Sequence, residues 1–429
     1  MHRARGEEPV TADEWLSLDD TIRAQWDDDV VPGDDAILRD CCQSIPMPRP
    51  YVAGGAPTSP PWYRTMFSWD AYFSNLALLA HRRLDLVKDA IENYLAMIDR
   101  FGYMPNGNQV PLATRSQVPL FPDSIARYLA ASADGDLLER AYPRLVEEYR
   151  GYWLADHHRT PAGLATNRDL GDPNLDPRLA AEAETGLDFT SLFEGNVSNT
   201  VPVMTNCSLV RYAQVLAGMA ANLGLRGHSS QWRAEAAQRA ERIRELCWNS
   251  EAGFFYDYDY VAERHVRQAS PTGYWPLWAG VATAEQARSC VDFLPRLLQP
   301  FGLVTTDTAA ESPFGAALGN EGLQWMYPAG WPPLQIIATW GLERYGHVEP
   351  MRRIAMRYLE MVVRNFRHTG ELYEKYNVID GGIELPNARY GTLPLHGWTS
   401  ASVVLIGRQL FFDQPIDDQV PEFAPPWSD

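Results

Sequence analysis

From Trp69 onward the chain reads as one amphipathic helix after another, and this succession limits its fold more than any other feature. The runs WDAYFSNLALLAHRR and LDLVKDAIENYLAMIDRFG carry apolar residues at helical spacing, and the second stops at Gly102. Further helices are expected over 123–132, 134–157, 201–224, 229–249, 282–299, 332–346, 348–368 and 398–412. The one clear strand signal is GFFYDYDY at 253–260, with hairpin character. The helices come in pairs, long loops rich in Gly, Pro and aromatic residues separate several of them, and no fixed-period repeat is visible. That pattern fits an all-α (α/α) toroid, whose inner helices line a core while one set of loops builds a site. A generic helical globule is the alternative.

Upstream, residues 1–10 read as a loose tail. Thr11-Ala-Asp-Glu14 is a capping box that opens a short helix to about Trp26. An acidic patch follows from Asp27 to Asp35, and residues 45–63 are rich enough in Pro and Gly to be loop. Residues 1–63 are therefore expected to be a lead-in arm and residues 64–429 the domain that carries the site.

A net charge of −18 argues against nucleic acid or an anionic membrane surface as partner. The five cysteines, Cys41, Cys42, Cys207, Cys247 and Cys290, are odd in number and lack metal-type spacing. Neither a disulfide framework nor a bound metal is expected, and no cofactor. The stretch MHRARGEEPVTADEW has no apolar core of a signal peptide, and no run reaches membrane-spanning length, so the expected compartment is the cytoplasm.

Several loops hold chemistry. EGLQWMYPAGWPPLQ, 321–335, sets Gln324 beside Trp325 and Trp331 between prolines that forbid a helix, a rigid arrangement suited to stacking on sugar rings. The same loop could equally be structural filling. FSWDAYF places Trp69 and Asp70 at a helix start, where an Asp also suits the helix dipole. MPNGNQVPLATRSQ supplies Asn106, Asn108, Gln109, Arg115 and Gln117, donors able to grip hydroxyl groups or merely to satisfy loop backbone. AEAETGLDFTSLFEG carries Glu182, Glu184, Asp188 and Glu194 around an apolar Leu187 and Phe189. A carboxyl in apolar surroundings can stay protonated near neutral pH, as a general acid must. The C-terminal stretch adds Glu371, Glu374, Asp380, Glu384, His396 and Trp398, with Glu374 framed by Tyr373 and Tyr376. No P-loop, G-x-S-x-G, H-E-x-x-H or dinucleotide fingerprint is present, which leaves a carboxylate pair as the economical chemistry.

Taken in order, WDAYF, PNGNQVPLATRSQVPLF, ETGLDF, QWMYPAGWPPLQ, EKYNV and HGWTSA resemble the motifs of the trehalase family of glycoside hydrolases. The likeness runs from about Phe67 to Ala401. It implies an (α/α)6 barrel and an inverting hydrolase, with Asp188 as general acid and Glu374 as general base. It further implies that Trp69, Asp70, Asn106, Arg115, Gln117, Gly186, Gln324, Trp325, Trp331 and Trp398 bind a small carbohydrate, trehalose or another small α-glucoside. The chain departs from the family pattern at the segment before Trp69, at DPNLDPRLAAEAE, at Met326 and in the short IDGG run. Those changes fall largely on the side of the leaving group. The compact glycosylglycerate hydrolases are similar too, which offers an α-glycosylglycerate as a second substrate. An (α/α)6 sugar epimerase, which would use paired histidines, and an inactive sugar-binding protein are the readings from other classes.

Overall fold

The computed structural model describes residues 10–308, 322–386 and 388–421. The tail at 1–9 and Glu321 of the tryptophan loop lie outside them.

Twelve helices make two concentric layers. They are α1 (Ala12–Gln25), α2 (Ser68–Ala80), α3 (Leu84–Phe101), α4 (Phe121–Ser132), α5 (Gly135–Glu148), α6 (Val203–Asn222), α7 (Arg226–Leu246), α8 (Trp275–Trp278), α9 (Ala284–Phe293), α10 (Pro332–Arg344), α11 (Val348–Thr369) and α12 (Gly397–Phe411). The even-numbered helices form a closed ring, each packed on the next: α2 on α4, α4 on α6, α6 on α8, α8 on α10, α10 on α12, and α12 back on α2. Their sequences explain this position. α2, α10 and α12 are buried on nearly every face, and Ser, Thr, Gly and Ala let neighbouring inner helices come close. The odd-numbered helices bury a single stripe, as α3 and α11 show, and keep charged residues outward. This is the (α/α)6 barrel expected from the helix pairs.

α1 comes from the stretch read as a lead-in, and it packs on α12 and α11 as an outer helix. The Thr11–Glu14 capping box is formed. The Trp15 indole N–H donates to the Val403 carbonyl at 2.8 Å. A β-carbon at position 407 would collide with that ring, so Gly407 is what allows α1 to seat.

Differences from the expected elements have local causes. The helix expected over 282–299 ends at Phe293 because Pro295 breaks it, and Leu298–Gln299 turns back onto Gly302–Leu303. The strand signal at 253–260 resolves into a pairing of Trp248–Asn249 with Phe254–Phe255 and a three-stranded sheet in which Tyr258–Asp259 lies between Thr200–Val201 and Arg264–His265. α8 and a helix over Pro177–Ala183 are too short to show a period.

Candidate active site

Three carboxyl groups converge on one end of the ring. Asp70 comes from the first turn of α2, Asp188 from the turn after Pro177–Ala183, and Glu374 from the segment after α11. The tryptophan loop is stitched to both of the latter. On the Asp188 side, Gln324 N–H donates to the Phe189 carbonyl at 2.7 Å and Thr190 Oγ1 to the Trp325 carbonyl at 2.6 Å. On the other side, Ala329–Gly330 pairs antiparallel with Tyr376–Asn377, just past Glu374. The loop thus sets the spacing between two carboxyl groups that it does not itself carry.

The two groups live in different surroundings. Asp188 is partly exposed, and its pKa is pushed up to about 6. Burial is the main cause, Glu374 adds repulsion, and Lys375 and the Trp325 side chain oppose the rise. Phe189, the next residue, has φ +59°, a left-handed conformation that a bulky side chain adopts only when neighbours enforce it. Glu374 is wholly buried among donors. The Tyr63 hydroxyl donates to its Oε2 in a very short bond, the Tyr390 hydroxyl reaches the same oxygen at 3.4 Å, and Lys375 Nζ donates to Oε1 at 2.5 Å. Burial raises the pKa of Glu374 above its ordinary value, although Lys375, Tyr63 and Tyr390 pull it part of the way back. Asp70 is pushed well above the usual carboxylate range by burial, with repulsion from Asp188 and Glu374 adding to it.

Four tryptophans close one wall. Trp325 and Trp331 stack at 3.8 Å and 10°, Trp398 stands edge-on to both, and Trp69 meets Trp325 and Trp398. All four are buried, so each of the stacked pair spends one face on the other. The Trp398 indole N–H donates to the backbone carbonyl of Glu374 at 3.0 Å, tying this wall to the segment after α11. Gly186 has φ +81°, and a β-carbon there would press on the Trp69 ring at 3.0 Å.

The remaining sequence-derived residues divide. Gln117 Oε1 accepts the Trp69 N–H at 3.0 Å, which fixes the start of α2. Gln324 Oε1 accepts from Lys375, and its buried Nε2 has no partner among the described residues. Asn106 donates to the Ala183 carbonyl at 3.2 Å, holding the loop to the segment that leads to Asp188. Arg115 lies between Asp169 and Asp172 at 3.2 and 2.9 Å, with its buried Nε unpartnered. Of the competing carboxylates, Glu384 is exposed and Glu371 is half-buried beside His396.

Sequence reading passed over Tyr63, Lys375 and Tyr390 as site residues. Tyr63 sits in a Pro-rich stretch read only as loop, and Tyr390 in a segment with no periodicity. It also left the role of Glu182 and Glu184 open. Glu184 is a buried structural anion that accepts from His158 Nε2 at 2.9 Å, Asn167 at 3.1 Å and the Arg168 N–H at 2.8 Å. Glu182 accepts the Thr190 N–H at 2.8 Å and so braces the turn that carries Asp188.

A trehalase family model matches residues 14–178 and 175–407. The chain belongs to the trehalase family of glycoside hydrolases. The periplasmic trehalase of Pseudomonas aeruginosa is 30% identical over 382 residues, covering 78% of this chain and 66% of that protein. That of Xanthomonas campestris pv. campestris is 31% identical over 408 residues, covering 84% and 68%. The chain therefore spans about two thirds of the length of these trehalases. Among solved structures, neutral trehalase from Saccharomyces cerevisiae superposes with a TM-score of 0.72 at 25% identity, covering 86% of this chain and 76% of that one.

The family and the fold are those the motifs implied. The compartment is not. These bacterial relatives are named periplasmic trehalases, which overturns the cytoplasmic expectation and points to the periplasm. That expectation rested on a polar first stretch and the lack of a run of membrane-spanning length, and neither decides between compartments. Among the described residues no helix is long and apolar enough to cross a membrane.

Proposed function

We propose that this trehalase-family hydrolase cleaves trehalose or a closely related small α-glucoside with inversion of configuration. Asp188 is the general acid. Its proton goes to the glycosidic oxygen as the C1–O bond breaks and the leaving oxygen takes the bonding electrons. Glu374 is the general base and accepts a proton from the water that attacks C1 on the opposite face, so the anomer inverts. The observation that carries the assignment is the contrast between the two groups. Asp188 is held up to about 6 with no cation in contact with it, while Glu374, though also raised by burial, is ringed by an ammonium and two hydroxyl donors.

Around this pair, Asp70 and the unpartnered Gln324 Nε2 supply an acceptor and a donor for sugar hydroxyls. Trp69, Trp325, Trp331 and Trp398 shape the wall, with Gly186 leaving room against Trp69. Asn106, Arg115 and Gln117 hold or contact the sugar from the loop before α4. In this reading the catalytic domain runs through residue 429 from α1 onward, since the stretch expected to be a lead-in supplies both that outer helix and Tyr63.

A second substrate has one observation in its favour. Arg389 stacks over the Phe189 ring at 3.9 Å, next to the acid, and makes no ion pair among the described residues. A cation so placed suits a leaving group that bears a carboxylate, as in an α-glycosylglycerate. The deciding experiment is hydrolysis of trehalose, other α-linked disaccharides and α-glycosylglycerates, with the product anomer followed by NMR. Inversion on any of them is expected. Retention, or epimerisation without water uptake, would overturn the reading.

A further inference from the structure

Of the 37 basic side chains, Lys88 and Lys375 alone are lysines and the others are arginines. Lys88 pairs with Asp134 at the surface. Lys375 is wholly buried and adjoins Glu374 in sequence. Its Nζ donates to Glu374 Oε1 at 2.5 Å and to Gln324 Oε1, and lies 4.0 Å from the Tyr390 ring centroid and 4.9 Å from that of Trp331. Asp188 is within its electrostatic reach but not hydrogen-bonded to it.

Building on the acid and base roles assigned above, we propose that Lys375 decides which carboxyl of the site carries the negative charge. Asp70, Asp188 and Glu374 repel one another, and such groups cannot all ionise in a site shielded from water. The hydroxyl groups of Tyr63 and Tyr390 stabilise a carboxylate without supplying charge. The ammonium of Lys375 supplies it, and contact with Glu374 alone localises the anion on the base. Asp188 then keeps its proton because the charge is already placed elsewhere. Lys375 is a positioning residue, since it touches the base and not the reacting atoms. A lysine serves better here than an arginine because its ammonium is a compact point charge that fits between the Trp331 and Tyr390 rings. Burial works against charge on Lys375, and Glu374, with Asp188 behind it, opposes that loss.

The test is the pH dependence of kcat/KM on the best cleaved glucoside for the wild type, Lys375→Met, Lys375→Arg and Glu374→Gln. Without the ammonium, Glu374 binds its proton more tightly. The acidic limb of Lys375→Met should therefore move up by about one to three pH units. Its kcat below neutral pH should drop by about 10²-fold, with KM changed far less. Lys375→Arg retains the charge and should keep the limb within about half a unit of the wild type, whatever its rate. Lys375→Gln repeats the measurement should methionine fail to fill the slot, with circular dichroism checking each fold. An unmoved acidic limb in the neutral variants, or an equal shift in Lys375→Arg, overturns the proposal. Full activity in Glu374→Gln would instead overturn the acid and base assignment beneath it.

Discussion

Asp123, on α4, is buried and Asp188, on the turn beyond Pro177–Ala183, is partly exposed, and they hold protons very differently. Burial by itself would raise Asp123, but Arg127 Nε at 2.8 Å and Arg211 Nη2 at 2.5 Å overcome it and hold the carboxyl well below the usual range. Tyr72 adds a donated hydrogen bond at 3.1 Å. Asp188 has no guanidinium against it, and burial prevails. The number of cations within contact, more than depth, decides which of these two carboxyl groups is held down and which is held up. In a chain of net charge −18, leaving Asp188 and Asp70 without a paired cation is a costly arrangement that substrate chemistry explains.

The contrast can be broken from either side. Asp188→Asn or Glu374→Gln should cut kcat by about 10²–10⁴-fold or more with the fold intact by circular dichroism. Near-wild-type turnover in either would sink the assignment. Asp123→Asn should do the reverse, losing about 3–5 kcal/mol in urea unfolding while the folded protein keeps its kcat. A catalytic defect at unchanged stability would show that Asp123 belongs to the chemistry.

Titration sharpens the same point. The raised group, Asp188, favours the folded state while protonated, and that contribution is lost as pH rises from the unfolded value near 3.8 through about 6. Asp188→Asn should therefore be more stable than wild type at neutral pH, by about 1–3 kcal/mol, although inactive. Asp123, depressed, contributes above its unfolded value and loses that contribution only as pH falls through its folded value. Wild-type turnover should decline above about 6 as Asp188 loses its proton, read from the kcat profile. The smallest effects belong to Glu371→Gln and Glu384→Gln, which should stay within about twofold of wild-type turnover. A hundredfold loss in either would move the base away from Glu374.

Helix pairing was legible in the sequence because apolar period is a local property. α3 and α11 announce themselves by a single buried stripe, and the Thr11 cap by its partner three residues on. α8 was not legible, since four residues hold scarcely a turn of period. In the site, Asp188 and Glu374 could be picked out because their immediate neighbours form motifs. Tyr63 could not, because its meaning comes from a contact with Glu374 across 311 residues of chain. Trp325 and Trp331 were readable as a pair but not as a stack, which depends on the turn between them. Lys375 did leave a trace, its rarity, which shows only when lysines are counted apart from arginines.

The seating of α1 on α12 has a consequence for how the chain reaches this state. The Trp15 indole meets the Val403 carbonyl 388 positions further along the chain, and α2 closes the inner ring against α12. The barrel can be shut only after nearly all of it has been synthesised. Until α12 emerges, α1 lacks its main packing surface, and the face of α2 that closes the ring stays uncovered. Contacts so distant along the chain slow assembly, because ordering the intervening loop costs entropy before any contact repays it. A circularly permuted chain that begins at α2 and ends with α1 would place the last pair of helices side by side in sequence. It should refold faster than the natural order in stopped-flow fluorescence, with its carboxyl groups and their proton affinities unchanged.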